Sequence, residues 1–388
     1  VEIAGGFKMS KYINPILSGI SKFINGKEEA MRKEIFMQYA WKFSFADGNV
    51  IAPAMKLFGN GSIGAYVHRN ERCWELRGNV LCLQNISGVT TAKFTLTHED
   101  EIGVCQLDGV SIASPGVALR LERIRMPSLR DDTPADGMPA AVKIISGAKT
   151  SRKNLVFISA GPKTCHTSWP KFIDDEDRNW DIFTSWYGDD VPDQIPFGEF
   201  FCHQPRTHKL SAFCNVARHH PWLMEYENIW LPDDDIEVSW KDINRMFNIF
   251  DRTGLSLAQP SLRVGSDCHI NHPITQQDTR YLLRYTTFVE IMCPLFSKDL
   301  LEACLPLFDG TGQPYIVDHL MMGVEGRVPG KAAIIDDIAV THSRPMATNY
   351  DFAPLVEEGE KLVSLYSNLR HTDRYDVIGG IYRDGALL

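Results

Sequence analysis

Hydrophobic and polar positions change their spacing along this chain, and each change predicts a different kind of structure. Residues 11 to 42 place Ile13, Ile16, Ile20, Phe23 and Ile24 at helical spacing, then Met31, Ile35, Phe36 and Tyr39 after the Asn25-Gly26 break. That spacing predicts N-terminal helices. From Phe43 to about Ile124 the apolar runs shorten and alternate, as in Cys73 to Leu76, Val80 to Leu83, Thr91 to Thr97 and Gly103 to Leu107. Closely set strands of period two predict an antiparallel sandwich or partly closed barrel. Residues 127 to 153 are rich in Pro, Asp, Gly, Ser and Lys and read as a linker.

Beyond the linker the strands become continuously apolar. Asn154 to Ala160 stops at Gly161-Pro162, as the first strand of a parallel sheet should. Trp180 to Trp186 is a second strand, Leu210 to Val216 an ambiguous third element, and Asn228 to Leu231 a fourth strand that runs into Asp233-Asp234-Asp235. Ser239 with Asp242 opens a helix through Phe250, and Leu255 to Gln259 follows. Thr287 to Phe296 is a long apolar strand interrupted by Glu290, passing into a helix from Ser297 to Leu307. The expected fold class is therefore α/β plus all-β. It has helices over 1–42, a β module over 43–126, a linker over 127–153, a mostly parallel α/β sheet domain over 154–350, and an amphipathic helix and tail over 351–388.

Composition narrows the function classes. With 44% hydrophobic and 23% charged residues the chain is an ordinary globular one, and no apolar run approaches the ~20 residues of a membrane span. Its beginning lacks a signal peptide's pattern, so a cytoplasmic location is expected. The nine cysteines show no C-x-x-C spacing and read as reduced, mostly buried thiols. A net charge of −9 argues against a nucleic-acid partner.

The acidic run carries the clearest chemistry. Asp233 and Asp235 form a D-x-D pair at a strand's carboxyl end, where α/β sheets bind ligands, and their oxygens suit Mg²⁺ or Mn²⁺. The alternative is an acidic loop capping the following helix. Downstream, Glu290 is an ionisable group among apolar neighbours, Asp318 follows Tyr315-Ile316-Val317, and His342 ends another strand-like run. Each has a structural reading too: ion-pair member, helix cap, loop residue. Arg263, Arg280 and Arg284 are candidate phosphate clamps, with surface solvation as the default for each. Trp74, beside His68, Asn70 and Glu71, is either a sugar-stacking platform or a core residue. Asp174 to Asp177 reads as a solvated acidic loop, His219-His220 is not spaced for chelation, and Cys268, His269 and His272 lie in a polar loop. The P-loop, dinucleotide and serine-hydrolase fingerprints are missing.

Asn154 to His342 resembles the family of unknown function 707, found in bacteria and plants and labelled there "lysine ketoglutarate reductase trans-splicing related". The matching segments are Ser185-Trp186-Tyr187-Gly188-Asp189, Ile229-Trp230 with the three aspartates, Leu257-Ala258-Gln259-Pro260 and Phe288 to Ser297. That family in turn looks like nucleotide-sugar glycosyltransferases of the GT-A type. The resemblance implies a GT-A-like catalytic domain with Mn²⁺ or Mg²⁺ at Asp233, Asp235 and His342, and Tyr187, Asp189 and Asp234 at the nucleotide. Asp318 matches the family's aspartate, although here it follows Tyr-Ile-Val where the family has Trp-Gly-Leu; in an inverting reaction Asp318 or Glu290 would be the catalytic base, and in a retaining one neither need be. Partners would be a nucleotide-sugar donor and a glycan or other hydroxyl acceptor, and the amphipathic ends make a homodimer plausible. A non-catalytic carbohydrate-binding protein and a metal-dependent phosphohydrolase or phosphotransferase are the alternatives.

Overall fold

The structure is a computed structural model that describes residues 33–126, 144–147, 150–169, 177–193, 198–266, 272–309, 316–344, 352–369 and 375–387. The described residues fall into two compact units. One comprises residues up to Ser62 with His68–Arg125, the other Ile63–Val67 with Met126–Leu388. Residues 11 to 32 of the expected N-terminal helices lie outside the described residues. Residues 33–38 are helical, and the chain is already a strand by Ala40.

Apart from the helical residues 33–38, the described part of the first unit is built of β-strands. Its strands β1 (Ala40–Phe45), β2 (Val50–Leu57), β3 (Cys73–Arg77), β4 (Val80–Gln84), β5 (Thr90–Asp100), β6 (Gly103–Ser111) and β7 (Ala118–Ile124) run antiparallel in the order β2-β1-β7-β6-β5-β4-β3. Past the end of β2, Ser62 bridges to Cys73 at the start of β3, so the sheet nearly closes on itself as a barrel. Closure protects edges that would otherwise pair with other chains. Trp41, Phe43, Met55, Leu81, Leu83, Phe94, Leu107 and Leu121 fill the interior. Trp74 belongs to this core: it is 3% exposed and its indole Nε1 donates to the Phe58 carbonyl at 2.9 Å. It is no stacking platform, because neither ring face is open to a sugar.

The second unit is a mixed α/β sheet. In chain order it contains β8 (Ile144–Gly147), β9 (Asn154–Ala160), β10 (Trp180–Trp186), β11 (Phe200–His203), α1 (Lys209–His219), β12 (Asn228–Trp230), β13 (Ile236–Glu237) and α2 (Trp240–Thr253). There follow β14 (Leu257–Leu262), β15 (Tyr281–Thr286), β16 (Leu295–Ser297), α3 (Lys298–Phe308), α4 (Val317–Glu325), β17 (Ala332–His342), α5 (Phe352–Leu365) and β18 (Val377–Tyr382). The strand order is β18-β15-β17-β14-β16-β12-β9-β10-β11-β8, with β13 added against β17. Strands β9 to β12 run parallel to one another and are covered on both faces, which explains their unbroken apolar runs: Phe157 stacks on Phe183 and meets Phe213 of α1 on one face. On the opposite face Val156, Ile158 and Trp230 share a core with Ile243, Met246 and Phe247 of α2.

The expectation of a mostly parallel sheet is corrected here. Strand β16 enters antiparallel between β12 and β14, and β15, β18 and β8 also run antiparallel to their neighbours. A parallel strand needs a helical crossover, but β16 is only three residues long and arrives through the buried, irregular segment 287–294. That segment was expected to be strand, so Glu290 sits in a buried loop rather than in a ladder. The element expected at Leu210 to Val216 is helix α1, and the strand before it is the four-residue β11.

Candidate functional site

Pairing between strands, not the acidic run itself, builds the site. Past β12 the backbone keeps an irregular ladder with the buried segment: the amides of Leu231 and Asp233 donate to the carbonyls of Pro294 and Met292, each at 2.9 Å. Three residues on, Ile236 of β13 pairs with His342, the last residue of β17. The Ser343 amide then donates to the Asp235 carbonyl at 3.1 Å. This register carries His342 from far along the chain to the aspartates. Ligand atoms of Asp233, Asp235 and His342 all lie within 4.8 Å of one another, with His342 Nε2 at 3.2 Å from Asp235 Oδ2. The capping alternative does not hold, because Ser239 caps α2: its hydroxyl accepts from the Asp242 amide at 3.2 Å.

The donor set fits a divalent cation. Two carboxylates suit a hard cation such as Mn²⁺ or Mg²⁺, and the imidazole adds a nitrogen ligand of the kind transition metals accept. Asp235 is 8% exposed, and its Oδ1 is buried without a hydrogen-bond partner. A buried carboxylate oxygen left unsatisfied costs more than a hydrogen bond returns, unless something occupies the space before it.

Two cations border the acids. Lys209, in the first turn of α1 and 4% exposed, donates to Asp233 Oδ1 at 2.6 Å and also to the Met292 carbonyl. The Asp233 side chain keeps 40% accessibility, yet crowding by protein raises its carboxyl from the ordinary value against the pull of Lys209. Burial pushes the Asp235 carboxyl up, but His342 and Arg344 outweigh it and hold it below the usual range. Asp234 is a latch: its Oδ2 accepts from the Gly161 amide at 3.2 Å and the Tyr187 hydroxyl at 2.7 Å, while Oδ1 pairs with Arg344. Burial and Asp234 together raise the Tyr187 phenol above its ordinary pKa.

A second cluster holds the two acids expected to act as base. The Glu290 amide donates to Gln259 Oε1, and its carboxylate Oε1 lies 3.1 Å from His272 Nδ1. Its Oε2 is buried with no hydrogen-bond partner. Asp318 is 4% exposed in the first turn of α4, and burial, then repulsion from Glu290, raises its carboxyl to about 7. The rings of His272, Phe288, His319 and Tyr375 pack around this cluster, with Phe288 centred 4.5 Å from both His272 and Tyr375.

The remaining candidates separate cleanly. Asp189 is exposed and makes no hydrogen bond or ion pair with the triad among the described residues. Arg284 is committed to a buried pair with Asp336, Arg280 to Asp278, and Arg263 reaches the Ala339 carbonyl. None of these three clamps the acids. Cys165 lies near Ser343, with Sγ 3.6 Å from its hydroxyl, and His166 is buried, which lowers its pKa to about 4. Cys268, His269 and residues 174–176 lie outside the described residues. Sequence reasoning missed Lys209, Arg344 and Ser343. For Arg344 a signal existed: it stands two residues after His342.

No family model matches the sequence, so the resemblance to the family of unknown function 707 has no support there, and no curated protein matches either. Among solved structures, A197 from STIV has 11% identity, covers 61% of this chain and 93% of its own, and gives a TM-score of 0.28. TarS residues 1–349 from S. aureus, in complex with UDP-GlcNAc, has 9% identity, covers 57% of this chain and 68% of its own, with a TM-score of 0.37. Likenesses this loose carry no functional argument. Among the described residues, no helix is long and apolar enough to cross a membrane.

Proposed function

We propose that this chain is a metal-dependent glycosyltransferase that moves a sugar from a nucleotide-sugar donor to a hydroxyl acceptor such as a glycan. The observation that supports it most is the triad of Asp233, Asp235 and His342, converging at a strand's carboxyl end with a buried carboxylate oxygen unpartnered. Asp233, Asp235 and His342 would hold Mn²⁺ or Mg²⁺. When bound, the ion supplies Lewis-acid stabilisation of the charge that builds on the departing diphosphate. Lys209 fixes the Asp233 carboxylate through one oxygen and leaves the other for the ion. Tyr187, tied to Asp234 and packed on Gly161, forms the wall beside the nucleotide. Glu290 accepts the acceptor hydroxyl's proton at its free Oε2, while His272 steadies the opposite oxygen. Asp318, raised to about 7 by burial and then by Glu290, would carry a proton beside Glu290 below that pH, which avoids two adjacent charges there.

Calorimetric titration of UDP with and without Mn²⁺ tests this reading, followed by a panel of nucleotide sugars assayed for metal-dependent release of nucleoside diphosphate. Metal-dependent nucleotide binding and sugar release support it. Release of inorganic phosphate points to a phosphohydrolase, and indifference to nucleotide points to a carbohydrate-binding protein.

A further inference from the structure

We infer that Arg344 is an exchangeable cation: it neutralises Asp234 and Asp235 while no divalent ion is bound, and transfers to the donor diphosphate when one arrives. The inference rests on the metal and donor reading above and adds an ordered coupling between the two ligands. Its basis is a contrast between two cations on adjacent acids. Lys209 is 4% exposed and its ammonium is held twice, by Asp233 and by the Met292 carbonyl, so it has nowhere else to go. The Arg344 side chain is 39% exposed, and its described partners on this side are the two carboxylates alone.

The oxygen that Arg344 occupies is the informative detail. Its Nε donates to Asp235 Oδ2 at 3.0 Å, the same oxygen that stands 3.2 Å from His342 Nε2. Its Nη2 reaches Asp234 Oδ1. A cation already sits at one edge of the three-ligand set, on a carboxylate the divalent ion must share. Like charges a few ångströms apart repel, strongly where the surroundings are of low dielectric and less where water reaches them. Entry of a dication therefore weakens the hold of Asp235 on the guanidinium. A planar fork of donors released beside a divalent ion faces the natural place for a diphosphate, which guanidinium groups bind in bidentate fashion. Metal and nucleoside diphosphate then bind cooperatively because each relieves what the other opposes.

The coupling has a signature that a structural role lacks: removal of the guanidinium changes the two affinities in opposite directions. The test is calorimetric titration of the full chain and of Arg344→Gln and Arg344→Lys, first with MnCl₂ alone, then with UDP at saturating Mn²⁺. For Arg344→Gln the expected result is Mn²⁺ affinity higher by roughly three- to tenfold, and UDP affinity lower by about tenfold or more. Arg344→Lys restores part of each. If Arg344→Gln binds Mn²⁺ as wild type does, or more weakly, the exchange is overturned while the metal site stands. If the wild-type protein binds no Mn²⁺, the underlying reading fails and the exchange fails with it. Cooperative thermal melts of the variants in the absence of Mn²⁺, within a few degrees of wild type, show that the comparison is between folded proteins.

Discussion

Asp235→Asn separates the two things Asp235 does, because the amide keeps the shape and loses the charge. In the fold, Asp235 Oδ2 serves His342 Nε2 and Arg344 Nε, while Oδ1 is buried with no hydrogen-bond partner. An asparagine oxygen still accepts from both donors, and its amide group falls where the orphaned oxygen was. The lost ion pairing involves an arginine side chain that is 39% exposed, so solvent screening limits that part to about 0–1 kcal/mol. With the weaker imidazole contact the total is about 1 kcal/mol, or about 2–4 °C in Tm for a unit of this size. Metal binding responds on another scale. Of two carboxylates and one imidazole, one formal charge is removed from direct coordination, and Mn²⁺ affinity is expected to fall by about 100-fold or more, about 2.7 kcal/mol. The paired measurement is calorimetric Mn²⁺ titration and a thermal melt. Mn²⁺ affinity within threefold of wild type would refute the assignment of Asp235 as a ligand. A melt lowered by more than about 10 °C would refute the stability reasoning.

Three further outcomes are expected. Lys209→Met strands Asp233 without its partner, but that carboxylate is 40% accessible and can hydrate. The cost is then about 1–2 kcal/mol rather than the 3–5 of a sealed pair, read from urea denaturation midpoints. Asp318→Asn should flatten the pH dependence of stability, since the raised folded-state pKa of about 7 makes this one group's contribution to wild-type stability fullest below about pH 4, falling from there and lost as pH passes 7. The variant should gain about 2–4 kcal/mol over wild type at pH 8 and little at pH 4, and equal urea midpoints at pH 8 would exclude a buried, proton-retaining Asp318. Gly161→Ala puts a methyl 2.4 Å from the Tyr187 ring, forcing that ring off Asp234. A loss of about 1–3 kcal/mol in thermal melts and weaker nucleotide binding by calorimetry are expected, and a silent variant would show that Tyr187 repacks freely.

How far the sequence reached depends on what its pattern can encode. Alternation of period two is a direct consequence of strand geometry, so β3, β4, β5 and β6 of the barrel were legible from alternating runs. Unbroken apolar runs bounded by turn residues gave β9 and β10 residue for residue, and a serine followed three positions later by aspartate gave the start of α2. The run from Thr287 to Phe296 was misread for a physical reason. Burial on all sides erases periodicity, and a buried loop satisfied by Gln259, Leu231 and Asp233 looks in sequence like a buried strand. The site divides in the same way. Local chemistry marks Asp233 and Asp235 as acids that suit a hard cation. Only the antiparallel register of Ile236 against His342, and the folding of Lys209 and Arg344 onto the same acids, decides which distant side chains share that cation's neighbourhood. Pairing between strands far apart in the chain follows from the whole core closing, and no window of sequence contains it.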